Sequence, residues 1–216
     1  MRYLLSTIGK KQMVGVAGLG LSLFVLVHMS GNLLIFAGPE AFNKYAYALT
    51  SNPLIYVAEA GLLAIFLLHL VVAMVLTVYN KVAKKQNYAV AATKTKATFA
   101  SKTLHYQGII ILAFVIWHLI SFKYGPHYEV TYDGTQMRDL FTLVIEYFQS
   151  PLNVVAYVFV LFLLGMHLSH GLASSFQTLG FNGAKFDPVI EKIGKAYAFI
   201  VTVGFISQPV YVYFVH

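Results

Sequence analysis

Five long apolar stretches, near residues 14–36, 56–79, 105–122, 154–176 and 196–215, set the limits on what this chain can fold into. Each runs for about twenty residues, the length an α-helix needs to cross about 30 Å of hydrocarbon at about 1.5 Å per residue. Backbone groups in lipid must be satisfied within a helix or in a closed barrel. Barrel strands alternate apolar and polar residues over about ten positions, and these stretches do not alternate. The expected fold is all-α: an integral membrane bundle of five transmembrane helices, in a single domain over residues 1–216. Composition agrees, since 58% hydrophobic against 11% charged residues is far from an average soluble domain. With no cysteine, the chain supplies no disulfide, zinc thiolate or iron–sulfur ligation, so any iron–sulfur cluster belongs to a partner.

Orientation follows from the basic residues between the stretches, because cytoplasmic connections are rich in Lys and Arg. Arg2, Lys10 and Lys11 precede the first helix, and Lys81, Lys84, Lys85, Lys94, Lys96 and Lys102 follow the second with no acidic residue among them. Lys185, Lys192 and Lys195 follow the fourth. The connection after the first helix has only Lys44, and the one after the third offsets Lys123 and Arg138 with Glu129, Asp133, Asp139 and Glu146. This pattern predicts a cytoplasmic N-terminus and an outside C-terminus at His216. The lysine-rich connection is either topology alone or also a docking surface for a cytoplasmic partner. No nucleic-acid partner is expected. Met1 to Lys11 leads into an apolar stretch too long for the core of a cleavable signal, so the first helix is expected to stay as an anchor.

The connection between the third and fourth helices is long for a bundle. Tyr132, Asp133 and Gly134 read as a turn. Leu140, Phe141, Val144, Ile145 and Phe148 recur at helical spacing, which predicts an amphipathic segment that lies flat on the outer face or covers a site. Pro209 is expected to kink the outer half of the fifth helix.

Within this apolar chain, His28, His69, His118 and His167 each lie inside a different stretch. An ionisable side chain in hydrocarbon is costly and marks a functional site by default. Counting inward-flanking lysines and helical rise, His28 and His118 sit about 25 Å from the inner edge, and His69 and His167 about 17 Å. The ordering pairs His28 with His118 and His69 with His167. Opposed imidazoles at one depth on different helices are what a six-coordinate b-type haem requires, so two pairs imply two haem b groups stacked across the bilayer. Gly31 and Gly171, one turn from His28 and His167, would let a macrocycle approach the backbone, or serve ordinary helix contact.

The strings around these residues are H-M-S-G-N-L from His28, F-L-L-H-L at His69, W-H-L at His118 and G-M-H-L-S-H-G at His167. In this order and spacing, over nearly the whole chain, they resemble the cytochrome b membrane-anchor subunit of the dihaem succinate dehydrogenase and fumarate reductase family. The resemblance implies that His69 and His167 hold an inner haem and that His28 and His118 hold an outer one. It implies a flavoprotein subunit and an iron–sulfur subunit on the cytoplasmic side. Electrons would pass between membrane quinone, expected to be menaquinone, and the succinate/fumarate couple, in a bacterial cytoplasmic (inner) membrane. As an enzyme the chain would be the quinone-reactive subunit of a succinate:quinone oxidoreductase, since no dicarboxylate site is legible in it. Some dihaem fumarate reductases carry a Glu two residues before the fourth-helix ligand in a proposed proton path, and this chain has Gly165 there. Other readings are the quinone-reactive anchor of a hydrogenase or formate dehydrogenase, and a haem-free proton carrier whose histidines form a relay.

Quinone chemistry needs a proton-exchanging or hydrogen-bonding group beside an apolar slot. Glu59, near the outer end of the second helix, is the leading candidate, with an interfacial ion pair to Lys44 or Lys123 as the alternative. Asn32, one turn from His28, is a second. His170 follows His167 on nearly the same helix face, so either could ligate the inner haem; the resemblance favours His167 and makes His170 a propionate or interhelical partner.

Overall fold

A computed structural model describes residues 2–83 and 99–216. A short helix α1 (Arg2–Leu5) leads into α2 (Thr7–Asn32), which ends in a 3₁₀ turn, Leu33–Ala37. Then come α3 (Pro39–Thr50), α4 (Leu54–Ala83) and α5 (Phe99–His118), the last running on as a π-helical turn, Leu119–Lys123. Strands β1 (Glu129–Tyr132) and β2 (Thr135–Arg138) precede α6 (Leu140–Phe148), α7 (Pro151–Thr178) and α8 (Asp187–Val215). Among the described residues five helices are long and apolar enough to cross a membrane: Thr7–Ala37, Leu54–Asn80, Thr103–Lys123, Pro151–Thr178 and Asp187–Val215. These features identify a multi-pass membrane protein.

The helices overrun the apolar stretches where polar turns can stand in the interface. The fifth begins at Asp187 rather than near residue 196, with Pro188 in its first turn, where a missing N–H costs nothing. It continues through Pro209 without interruption. Ser6 caps α2, its hydroxyl accepting from the Gly9 amide at 3.1 Å. Lys84, Lys85, Lys94 and Lys96, on which much of the expected orientation rests, lie outside the described residues.

Packing centres on α2 and α7. The first touches α4, α7 and α8, and the second also touches α5 and α8. Small residues set the approach, as expected where hydrocarbon gives apolar side chains no reason to prefer one another over lipid. Gly15 lies against the Ser175 backbone, and Gly194 against Ala173 and the Ser169 carbonyl. At Gly165 a side chain would run into Thr202 of α8. Val201, fully buried, packs with Leu168 and Ala198 at the middle of the α7–α8 seam. None of the most apolar window of α4 is buried by the described residues.

The connections α2–α4 and α5–α7 build a cap over one end of the bundle, and here the fold departs from pure helix. Residues Glu129–Arg138 form an antiparallel hairpin whose two-residue loop, Asp133–Gly134, has φ of 50° and 75°. These values suit the twist of a tight hairpin and favour Gly at the second position. The expected turn is therefore a strand pair. Lys44 of α3 binds Asp133 at the hairpin tip at 2.5 Å and Glu40 at 2.6 Å. The expected amphipathic segment is α6, which buries Phe141, Leu143, Val144 and Phe148. Asn43, fully buried, joins α3 to α6: its amide donates to Asp139 at 2.8 Å, and its carbonyl oxygen accepts from the Phe141 amide at 2.9 Å. Asp139 caps α6 through the Thr142 amide and hydroxyl. Burial alone would raise the Asp139 carboxyl, yet these hydrogen bonds and that from Asn43 hold it below the usual carboxylate value. An Asn43→Ala variant is expected to cost about 1 to 3 kcal/mol, because it strands the buried Phe141 amide and takes one donor from Asp139. Detergent unfolding with and without the substitution checks this.

Candidate functional site

The four histidines come together in two pairs. His28 of α2 and His118 at the end of α5 have ring centroids 5.8 Å apart, with planes at 82°. His69 of α4 and His167 of α7 have centroids 6.4 Å apart, with planes at 70°. An imidazole nitrogen bonds a metal at about 2 Å, which sets the ring centroid about 3 Å away and the centroids of two opposed ligands about 6 Å apart. Both separations suit one metal between two rings. The angle between planes is unconstrained, since each ring can turn about its own nitrogen–metal axis.

The pairs lie at two levels. On α2, Gly18 faces His69 while His28 belongs to the other pair; on α7, Tyr157 contacts His118 while His167 belongs to the first. By helical rise each helix sets the levels about 15 Å apart. The expected difference of about 8 Å is too small, because the lysines used as rulers do not mark one plane: α4 runs past Lys81 to Ala83.

Three of the rings are braced at Nδ1. For His69 the partner is the Val14 carbonyl, at 3.3 Å. A carbonyl can only accept, so this bond puts the proton on Nδ1 and leaves a lone pair on Nε2. His118 Nδ1 lies 3.3 Å from the Tyr157 hydroxyl. His28 Nδ1 lies 3.4 Å from the Asn32 amide nitrogen, which donates to the His28 carbonyl at 2.8 Å. The fourth, His167, has a buried Nδ1 with no hydrogen-bond partner among the described residues. Aromatic rings enclose the pair nearer the cap: Phe24 stacks on His28 at 5.5 Å and Phe114 on His118 at 5.8 Å.

Gly18 is a spacing residue that helix position alone did not reveal. A Cβ there would stand 3.4 Å from His69 Cε1 and from the Ser175 hydroxyl, so glycine lets the imidazole lie against α2. Gly31 does not have the expected role, because the ring of Tyr45 already fills the space a Cβ would take. That neighbour comes from α3 and is invisible in the spacing along α2. Gly171 faces open space. Of the two histidines on α7, it is His167 whose ring faces His69; His170 is half-buried one turn away.

Glu59 lies apart from both pairs, ion-paired with Lys123 at the capped end, each side chain about 40% exposed (42% and 40%). Tyr157 is the contact that sequence reasoning missed; its signal was a phenol within the fourth apolar stretch, toward the same end as His118. Among the described residues no group of three or more His, Asp or Glu is placed to hold a metal ion. Two imidazoles are fewer protein ligands than a structural or catalytic metal ion ordinarily takes; they are enough for a group that brings its own in-plane donors. Comparison of the chain with family models, curated proteins and solved structures found no match.

Proposed function

We propose that the chain is the membrane-anchor and electron-transfer subunit of a succinate:quinone or quinol:fumarate oxidoreductase, holding two b-type haems. The observation that carries this reading is the pairing of four intramembrane histidines at metal-bridging separation on four different helices. His28 and His118 would hold the outer haem, His69 and His167 the inner one. Bound there, the two haems would supply one-electron redox chemistry at two depths of the bilayer. The residues present fit: the donor sets are pairs, Nε2 of His69 is left with a lone pair by its Val14 bond, and the buried His167 Nδ1 has no protein partner.

In this reading the N-terminus faces the cytoplasm of a bacterial inner membrane, and the cap over α3, β1–β2 and α6 faces outward. The flavoprotein and iron–sulfur subunits dock on the cytoplasmic side and carry the dicarboxylate chemistry. Menaquinone is the membrane substrate. Glu59 exchanges the quinone's protons, its carboxylate being ion-paired with Lys123 and 42% exposed. His170 is a hydrogen-bonding neighbour of the inner haem.

Purification of the complex from its native membrane tests the whole assignment. Flavin and iron–sulfur subunits should copurify, b-type haem should be reduced by succinate or, once reduced by quinol, reoxidised by fumarate, and Glu59→Gln should lower quinone turnover severalfold with haem content unchanged. Copurification with a hydrogenase or formate dehydrogenase, or haem that quinol reduces but that neither succinate reduces nor fumarate reoxidises, would contradict the assignment.

A further inference from the structure

The bracing of the two haem-ligand pairs is not equivalent, and the difference centres on one phenol. His69 is braced by a backbone carbonyl, which no substitution removes. His118 is braced by a side chain, Tyr157. Tyr157 is 4% exposed and is wedged between the rings of Phe114, Trp117 and Phe148 at 4.9 to 5.0 Å, so its hydroxyl has little freedom to turn away. The ring of Tyr147 of α6 also packs against it, with centroids 5.7 Å apart. Tyr147 in turn accepts from Ser121 at 3.2 Å, which the π-helical turn immediately after His118 carries. Ser121 and Tyr147 line a cavity of about 270 Å³ under the cap, with Glu146 and Tyr128 on its wall.

We propose that Tyr157 is a positioning residue for His118: its phenol oxygen accepts from Nδ1–H, which leaves Nε2 free to ligate and sets the redox potential of the outer haem separately from the inner. The inference rests on the dihaem reading. A neutral imidazole that ligates through Nε2 keeps its one proton on Nδ1, so the phenol oxygen 3.3 Å away accepts it. A ligating imidazole that donates from its other nitrogen is a more basic ligand. Greater ligand basicity favours the oxidised metal, so this bond lowers the potential of the outer haem. Tyr147, packed against the phenol ring and hydrogen-bonded to Ser121, ties it to the cap.

Redox titration of the purified complex carrying Tyr157→Phe decides the matter, with the two midpoints assigned from variants that retain a single haem. The expected result is two haems per chain, an upward shift of the outer midpoint and an unchanged inner midpoint. Tyr147→Phe, which leaves the His118–Tyr157 bond, is expected to shift the same midpoint less. A Tyr157→Phe complex whose two midpoints equal those of the unsubstituted protein overturns the inference while leaving the dihaem reading intact. Equal shifts of both midpoints overturn it too, since they report a general change of packing. An unsubstituted complex without haem overturns both.

Discussion

Alanine at His28 or His118 is expected to remove one b-type haem and spare the other, halving the reduced-minus-oxidised absorbance. Alanine at His69 or His167 is expected to remove the other half. The expectation follows from the separation of the sites: no residue serves both pairs, and helical rise sets them about 15 Å apart. Within a pair the two variants should behave alike, because a six-coordinate haem loses its iron ligation from either face. His170→Ala should retain both haems, since the ring facing His69 belongs to His167. Difference spectra of the five variants, normalised to protein, check the assignment residue by residue. Loss of the inner haem in His170→Ala with retention in His167→Ala would reverse the choice between them.

A side chain at Gly165 is expected to destabilise the bundle. The glycine is buried in the α7–α8 seam, and a Cβ would meet the Thr202 hydroxyl, with the Thr202 Cβ and methyl at 3.2 and 3.4 Å behind it. Rotating the threonine moves its hydroxyl away but brings another branch toward the same space. Overpacking of this kind costs about 1 to 3 kcal/mol. Gly165→Ala should therefore lower the detergent unfolding midpoint, and Thr202→Ala in the same chain should restore most of the loss. A double mutant no more stable than Gly165→Ala alone would contradict the contact. A glutamate at residue 165 would need the space that Thr202 fills, so this chain cannot carry that acid without repacking α8.

How far the sequence could be read follows from which quantities a single helix determines. Span number and order were legible because hydrocarbon thickness fixes helix length, and five stretches meet it. Histidine pairing was legible because rise per residue is constant, so residues on antiparallel helices can be ordered by depth. The spacing between levels was not, because polar turns extend the helices past their apolar limits by amounts that hydropathy does not mark. Contacts between helices were also beyond reach. Gly31 and Gly18 look alike on α2, yet one faces Tyr45 and the other His69, and only the packing of α3 and α4 distinguishes them. Tyr157 was passed over because a tyrosine in a membrane helix has no single meaning until its hydroxyl finds a partner. In the cap, the turn at Asp133–Gly134 and the helical period after it were legible. Asn43, which joins those elements across nearly a hundred residues of chain, carries no local signal at all.

The most direct test of the central claim is the haem content of the purified chain, measured from its reduced-minus-oxidised spectrum and quantified against protein after extraction of the haem. Two b-type haems per polypeptide is the predicted result. A chain purified from haem-replete membranes with no b-type absorbance would contradict it, and would leave the two histidine pairs to be explained by hydrogen bonding alone.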